Sequence, residues 1–226
     1  MKSPRGICWL GMLAGVAVGC SKAAAPPQPT EASVVAYVGS APAEVRARIA
    51  AAAMRTQPAT GLIHRNGTPL TLAAPPLEVG ATAPDATLVT SKLEPLMLSS
   101  LRGKLVVLSV VPSIDTRVCE AQTHKISDSI GQLPAGTEVI TVSRDLPFAQ
   151  ERFAEEAMTK TGMASDANAR AFGRAFGLEV VESGLLARSV WVIDAAGVIR
   201  YRELVADQTQ EPDYAALIAA ANAAGG

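Results

Sequence analysis

Buried strands and amphipathic helices alternate in the hydrophobic pattern of the chain. Residues 104–111 form a largely apolar run that is rich in β-branched residues, and residues 138–143 repeat this pattern. Such runs are typical of strands that are buried on both faces of a sheet. Between the two runs, Asp115 and Thr116 favour the start of a helix, which is predicted to end near Ile130.

Weaker patterns predict the remaining elements. Short strands are predicted at residues 68–72 and 86–89, and helices at residues 147–158, 167–176 and 213–224. In the helix at residues 147–158, we expect Phe148, Phe153 and Ala157 to lie on one side.

A β-hairpin is predicted near the C-terminus. Residues 189–193 and 198–202 are strand-like and flank the turn sequence Asp194-Ala-Ala-Gly197. A parallel half that is followed by an antiparallel hairpin and covered by helices is a thioredoxin-like arrangement. We therefore predict an α/β, thioredoxin-like fold with a central mixed β-sheet flanked by helices.

The N-terminus has the pattern of an export signal. Two basic residues precede an uncharged apolar segment at positions 6–19, which is too short to span a bilayer comfortably. The small residues before Cys20 resemble a bacterial lipobox, in which the cysteine is lipidated and becomes the new N-terminus. A plain secretory signal that is cleaved near Gly19 is the alternative.

Three segments follow from these patterns. We predict a lipoprotein-type signal peptide at residues 1–19, a tether with a short helical segment at residues 20–60, and the thioredoxin-like domain at residues 61–226. Prolines in residues 21–30 favour an extended tether. The chain is expected on the periplasmic side of a bacterial membrane, anchored through a lipid on Cys20, or as a soluble periplasmic protein.

Composition and charge exclude several classes of function. The 226 residues carry a formal net charge of -1, so no basic surface for nucleic acid is expected. His64 and His124 are the only histidines of the sequence, and neither lies in a metal-ligand pattern. We predict no cofactor and no metal. Arg117 and Arg152 are predicted to form at most surface ion pairs.

Cys119 is the cysteine that remains free in the predicted mature chain. Cys8 is removed with the signal peptide, and lipidation blocks Cys20. Cys119 follows a buried strand and lies in the first turn of the predicted helix. Unpaired N–H groups and the helix dipole stabilise an anion there, which favours a reactive thiolate. A buried, inert cysteine is the alternative on the local pattern alone.

The residues around Cys119 resemble the active-site signature of the peroxiredoxins. The signature is Pro112-x-x-x-Thr116-x-x-Cys119, in which Thr116 can place a hydroxyl beside the sulfur and Pro112 can shield it from water. Further matches, at residues 80–85, 98–104, 143–150 and 186–188 among others, are similar to the bacterial thiol peroxidases. The resemblance implies a peroxidase that reduces hydrogen peroxide and small organic hydroperoxides.

The resemblance also implies roles for individual residues. Cys119 would be oxidised by peroxide to a sulfenic acid. Thr116 would hydrogen-bond the peroxide and the sulfur, and Arg188 would stabilise the thiolate and the charge that develops on the peroxide oxygens. Without the resemblance, Arg188 would be interpreted as a surface charge at the entry of a strand. Relatives of this type commonly form homodimers.

Ala154 marks a departure from the family. It occupies the position at which relatives usually carry a second, resolving cysteine. We therefore expect a one-cysteine mechanism, in which an external thiol on a thioredoxin-like protein or a small molecule regenerates Cys119. Two alternatives stay open: a non-catalytic or peroxide-sensing lipoprotein, and a disulfide oxidoreductase of the thioredoxin type, which would require Cys-x-x-Cys.

Overall fold

The computed structural model describes residues 57–226. The predicted signal peptide, the lipidation site Cys20 and nearly all of the tether lie outside these residues and stay predictions. Within residues 57–226, no helix is both long enough and apolar enough to cross a membrane. The first strand of this part begins at Ala59.

Strands and helices alternate through most of the described part. The strands are β1 (Ala59–Arg65), β2 (Thr68–Leu72), β3 (Thr87–Thr90), β4 (Pro95–Met97), β5 (Val106–Val110), β6 (Glu138–Ser143), β7 (Gly162–Ser165), β8 (Ser189–Ile193) and β9 (Ile199–Leu204). The α-helices are α1 (Arg117–Ser129), α2 (Pro147–Glu156), α3 (Ala171–Phe176) and α4 (Tyr214–Ala224).

A seven-stranded mixed sheet forms the centre, in the order β4-β3-β7-β6-β5-β8-β9. β5, β6 and β7 are parallel neighbours, whereas β8 pairs antiparallel with both β5 and β9. Val107 of β5 pairs with Val139 on one side and with Val192 on the other. The predicted parallel half, the hairpin and the thioredoxin-like class are confirmed. β1 and β2 form a separate two-stranded sheet.

The central strand β5 is buried on both faces because helices cover both. Successive residues of a strand point to opposite faces. Leu108 accordingly packs in a large apolar cluster with Trp191, whereas Val107 packs with Ile126 of α1 and Leu217 of α4. Full burial of such a side chain stabilises the fold by about 1.5–3 kcal/mol. The strand that leads to Cys119 is therefore fixed within the core.

The helix predicted at residues 167–176 begins later, at Ala171. Arg170, the residue before it, has a φ of 52°, which lies in the left-handed region and cannot continue a helix backwards. Gly177 ends the helix with a φ of 70°, as the glycine in the sequence predicts.

The prediction that Phe148 lies on the apolar side of α2 is wrong. Phe148 is 63% exposed, whereas Phe153 packs inward and the polar Gln150 is fully buried. Phe148 and Phe153 lie five positions apart on a helix with about 3.6 residues per turn, so they cannot share one face.

Candidate active site

Cys119 lies in the first turn of α1, directly behind the buried strand β5. The strand ends at Val110, residues 111–116 connect the two elements, and α1 begins at Arg117. The residue is 0% exposed. At this end of a helix, backbone N–H groups lack acceptors within the helix and stabilise a nearby anion. The predicted placement of Cys119 is confirmed.

Thr116 occupies the N-cap position of α1 without capping it through its side chain. Its Oγ1 donates to the backbone oxygen of Ser113 at 3.2 Å, and no hydrogen bond joins it to the sulfur of Cys119 within residues 57–226. The residue lies where the sequence places it, but the bond to the sulfur that the resemblance implies is not made here.

Arg188 lies next to Cys119 because the strands that carry them are paired. Val110 at the end of β5 pairs with Ser189 at the start of β8, so the residue before β8 reaches the turn after β5. Arg188 is 2% exposed, and its Nη2 lies 3.3 Å from Sγ of Cys119. It is therefore a buried partner of the sulfur and not an exposed surface charge.

Two glutamines hold the Arg188 side chain in place. Nη1 of Arg188 donates to Oε1 of Gln122 at 2.7 Å, and Nε donates to the backbone oxygen of Gln208 at 3.2 Å. Gln122 is itself fixed to β5, because its Nε2 donates to Oγ of Ser109 at 2.9 Å. The sequence patterns single out neither glutamine as a site residue. Gln122 carries a usable signal, since it follows Cys119 by three positions and shares its helical face.

The charge on Arg188 has no carboxylate in contact with it. Within the described residues its guanidinium contacts only the oxygens of Gln122 and Gln208 and the sulfur of Cys119. A buried charge is costly unless an opposite charge or hydrogen bonds compensate it. Sγ of Cys119 is therefore the only atom in hydrogen-bond contact with this guanidinium, among the described residues, that could carry an opposite charge.

Arg188 affects the pKa of Glu211 only through its charge, because no hydrogen bond or ion pair joins these two described residues. The hydroxyl of Tyr214 donates to Glu211 at 2.6 Å and lowers the pKa of this carboxyl, and Lys125 and the charge of Arg188 act in the same direction. Burial and the hydrogen bond to Glu211 raise the pKa of Tyr214. Lys125, at 2.9 Å, neutralises Glu211 directly. The carboxylate therefore does not take the place of the sulfur beside Arg188.

A pocket of about 210 Å³ opens at this site. Pro112, Thr116 and Arg188 all line it. Its apolar wall includes Leu70, Val180, Leu185 and Leu186. The structure thus brings the three predicted supporting residues to one pocket, and Arg188 connects that pocket to the sulfur of Cys119.

Asp145 fixes the turn that precedes Cys119. Its carboxylate accepts hydrogen bonds from Oγ of Ser113 and from the backbone N–H of Ile114, both at 2.8 Å. Asp145 follows β6, the parallel neighbour of β5, so the two strands deliver the turn and its anchor to the same edge of the sheet. This anchoring sets where α1 begins.

Ala154 lies near Cys119 in the fold. Ala154 and Phe153 pack against the small buried cluster that contains Cys119, Ile114 and Met163. The expectation that a resolving cysteine is missing at position 154 stays a prediction. Cys119 is a free cysteine.

Neither histidine takes part in the site. His124 lies 3.9 Å from Glu120, and His64 lies 3.9 Å from Asp207, with side chains that are 43% and 41% exposed. In the part of the chain that the structure describes, no group of three or more His, Cys, Asp or Glu residues could hold a metal ion.

Comparisons with known proteins agree with this geometry. The Redoxin family model matches residues 78–218. The thiol peroxidase of Halalkalibacterium halodurans is 44% identical over 159 residues, which cover 70% of this chain and 95% of that protein. The thiol peroxidase of Bacillus subtilis is 42% identical over 158 residues, which cover 70% of this chain and 94% of that protein.

Solved structures support the same assignment. A peroxiredoxin-like protein from Aquifex aeolicus is similar with a TM-score of 0.66 and 35% identity, over 71% of this chain and 95% of that chain. A thiol peroxidase from Chromobacterium violaceum, with a TM-score of 0.60 and 20% identity over 69% of this chain and 91% of that chain, shares the fold. The non-catalytic alternative is not favoured by these relatives. The chain belongs to the Redoxin family, and within it to the bacterial thiol peroxidases of the peroxiredoxin group.

Proposed function

We propose that Cys119 reduces hydrogen peroxide and small organic hydroperoxides through a sulfenic acid, and that an external thiol then regenerates it. The observation that carries this proposal is the 3.3 Å contact between Nη2 of Arg188 and Sγ of Cys119. Apolar packing would fill the same volume at a lower desolvation cost than a buried guanidinium. A fixed cation is, however, what stabilises charge that develops on sulfur and on peroxide oxygens.

In the first step, the thiolate of Cys119 attacks the peroxide oxygen that carries the hydrogen. An S–O bond forms as the O–O bond breaks, so the sulfur is oxidised to a sulfenic acid and the peroxide is reduced. The other oxygen leaves as hydroxide or alkoxide and takes up a proton. Arg188 stabilises the leaving charge, while Thr116 offers a hydroxyl and Pro112 an apolar surface in the same pocket.

In the second step, the reducing thiol comes from outside the domain. Ala154 supplies no second thiol for Cys119, and the sequence contains only two further cysteines, Cys8 and Cys20. An external thiol attacks the sulfenic sulfur, which releases water and forms a mixed disulfide. A second thiol then attacks that disulfide and restores the Cys119 thiolate. The external thiol belongs to a thioredoxin-like protein or to a small molecule.

Trapping the oxidised cysteine tests this proposal. After treatment of the mature protein with an equimolar amount of peroxide, we expect mass spectrometry to find a dimedone adduct on Cys119 and no intramolecular disulfide. Cys119→Ser is the control and should gain no adduct. An intramolecular disulfide would overturn the one-cysteine mechanism. Peroxide that is not consumed at all would overturn the peroxidase proposal.

A second cysteine at position 154 sharpens this test. Ala154 shares an apolar cluster with Cys119, so we expect Ala154→Cys to form an internal disulfide after oxidation and to lose the dimedone adduct. Glu155→Cys, at an exposed neighbouring position on α2, is the matched control and should keep the adduct. Equal behaviour of the two variants would contradict the proposed proximity.

We also propose that the mature chain begins at a lipidated Cys20 on the periplasmic side of a bacterial membrane. The support comes from the sequence, namely the apolar segment 6–19 and the small residues before Cys20. Incorporation of a fatty-acid analogue, lost in Cys20→Ala, tests lipidation. Label that persists in this variant would overturn it, and an unlabelled soluble protein would indicate a plain signal. The implied homodimer stays a prediction, which light scattering checks.

A further inference from the structure

We propose that the active-site pocket selects hydroperoxides that carry a carboxylate on an apolar body, and that Arg65 and Arg117 bind this carboxylate. The inference rests on the proposed function, because it assumes that Cys119 meets peroxide in this pocket. Among the described residues, the pocket lining contains three arginines, Arg65, Arg117 and Arg188, and no aspartate or glutamate.

Arg65 and Arg117 have no partner that would neutralise them. Arg65 is the last residue of β1, and Arg117 is the first residue of α1. Both are exposed, and neither side chain forms a hydrogen bond or an ion pair with another residue of the described part. Their guanidinium groups are therefore free to bind a ligand. A guanidinium matches the planar geometry of a carboxylate with two parallel hydrogen bonds.

The acidic residues nearest to Arg117 in sequence line a different opening. Asp115 and Glu120 line a groove of about 480 Å³, to which Glu156 also contributes. Thr116 and Arg117 line both openings. All charged residues that line the pocket beside Arg188 are therefore positive, whereas three carboxylates line the groove. The charge of the pocket is a local property, because the whole chain is nearly neutral.

The size and walls of the pocket fit a substrate larger than hydrogen peroxide. Its volume of about 210 Å³ greatly exceeds the roughly 10–15 Å³ that a single water molecule requires. Leu70, Val180 and Leu185 line it, and apolar walls gain free energy only from an apolar group. An organic body would contact these walls, and its carboxylate would meet the two exposed arginines. Its peroxide would lie beside Arg188, which lines the pocket and contacts Cys119.

A matched pair of hydroperoxides tests the inference. The pair consists of cumene hydroperoxide with a carboxylate in the para position and the methyl ester of the same compound. Stopped-flow measurement gives the rate constant of Cys119 oxidation for each. We expect the acid to react faster than the ester, and the ratio to fall as salt rises from about 20 mM to about 500 mM, because salt screens exposed charges.

Substitution of the arginines tests which residues cause the preference for the acid over the ester. Exposed ion pairs are weak, so we expect Arg65→Gln and Arg117→Gln each to lower the ratio of acid to ester by about two- to fivefold, and the double variant to bring it close to unity. Arg152→Gln is the matched control, since this exposed arginine pairs with Glu156 on α2 and does not line the pocket. It should leave the ratio unchanged.

Each outcome separates the two proposals. Equal rates for acid and ester in the unmodified protein, or a ratio that survives in the double variant, would overturn the selection of carboxylates while leaving the peroxidase proposal intact. Failure of hydrogen peroxide and of both organic compounds to oxidise Cys119 faster than free cysteine would overturn the proposed function itself.

Discussion

Two arginines in the described part of the molecule, Arg144 and Arg188, have buried side chains with opposite surroundings. Arg144 has a side chain that is 3% exposed and pairs with Asp166 at 3.3 Å and with Glu179 at 3.0 Å. Arg188 is 2% exposed, but glutamine oxygens and the sulfur of Cys119 surround its guanidinium. The two residues share their chemistry and depth, and differ in whether a carboxylate contacts them.

The difference separates a charge that carboxylates neutralise from one that has no carboxylate partner. Asp166, which binds Arg144, also accepts the backbone N–H groups of Phe172 and Gly173 at the start of α3. Nη1 of Arg144 donates to the backbone oxygen of Gly184, in the segment that leads to Arg188. Arg144 is therefore neutralised and holds chain segments together. Arg188 keeps a positive charge that forms no ion pair with a carboxylate of the described residues.

The largest expected effect is a loss of stability in the Arg144→Met variant. Loss of the cation leaves the buried Asp166 without a charged partner and removes the nearer of the two cations beside Glu179. We therefore expect the free energy of unfolding in urea to fall by about 3–5 kcal/mol. Arg200→Met is the control, because Arg200 pairs with Asp194 at 2.6 Å but is 53% exposed. That variant should lose only about 0.2–1 kcal/mol. Similar losses of unfolding free energy in both variants would contradict the view that Arg144 is a buried structural charge.

Arg188→Gln should affect the rate of reaction with peroxide. Removal of one preorganised charge-stabilising donor commonly slows a reaction by about 10²–10³-fold. We expect a decrease of this size in the second-order rate constant of Cys119 oxidation, measured by stopped flow. Arg144→Met, corrected for its unfolded fraction, should keep the rate of the unmodified protein. A loss of less than about threefold in Arg188→Gln would show that its charge does not activate the sulfur.

Gln122→Leu should have a smaller effect on the same rate. Gln122 is a positioning residue, and its loss leaves Nη1 of Arg188 without an acceptor, which costs about 1–3 kcal/mol. We expect the oxidation rate to fall about tenfold. The pH profile of the rate should also shift, which a loss of stability alone does not cause. An unchanged profile with a reduced rate would indicate a purely structural role.

The smallest expected effect is on the pH dependence of stability. The hydrogen bond from Arg144 lowers the pKa of Glu179 below its ordinary value of 4.5. The ionised carboxylate therefore stabilises the fold above pH 4.5, and this contribution disappears as the pH falls from 4.5 through the lower, folded-state pKa. The free energy of unfolding should decline with acid less steeply in Arg144→Met. Equal slopes would contradict this coupling.

Elements with strong local patterns could be predicted from the sequence. The apolar runs of β5 and β6 and the turn between β8 and β9 are encoded in short stretches of chain. The start of α4 has a local cause as well, since Asp213 accepts the N–H of Ala216 at 2.9 Å. These elements could therefore be found without knowledge of their neighbours.

Elements and contacts that depend on distant partners could not be predicted. β7 (Gly162–Ser165) lacks β-branched residues and is a strand because it pairs with β6 and β3. The residues that hold Arg188 come from a helix and from a turn after β9, and Gln208 carries no signal of its own. Only the resemblance to a family connected Arg188 with Cys119 before the sheet pairing was known.

The pairing of β5 with β8 also has a consequence for the newly made chain. Cys119 and Arg188 are 69 positions apart, and contacts of such long range form late because closing the intervening loop costs entropy. A nascent or unfolded chain therefore carries Cys119 without the Arg188 guanidinium beside it. Under the proposed function, Cys119 would be latent during synthesis and would become reactive only when the sheet is complete.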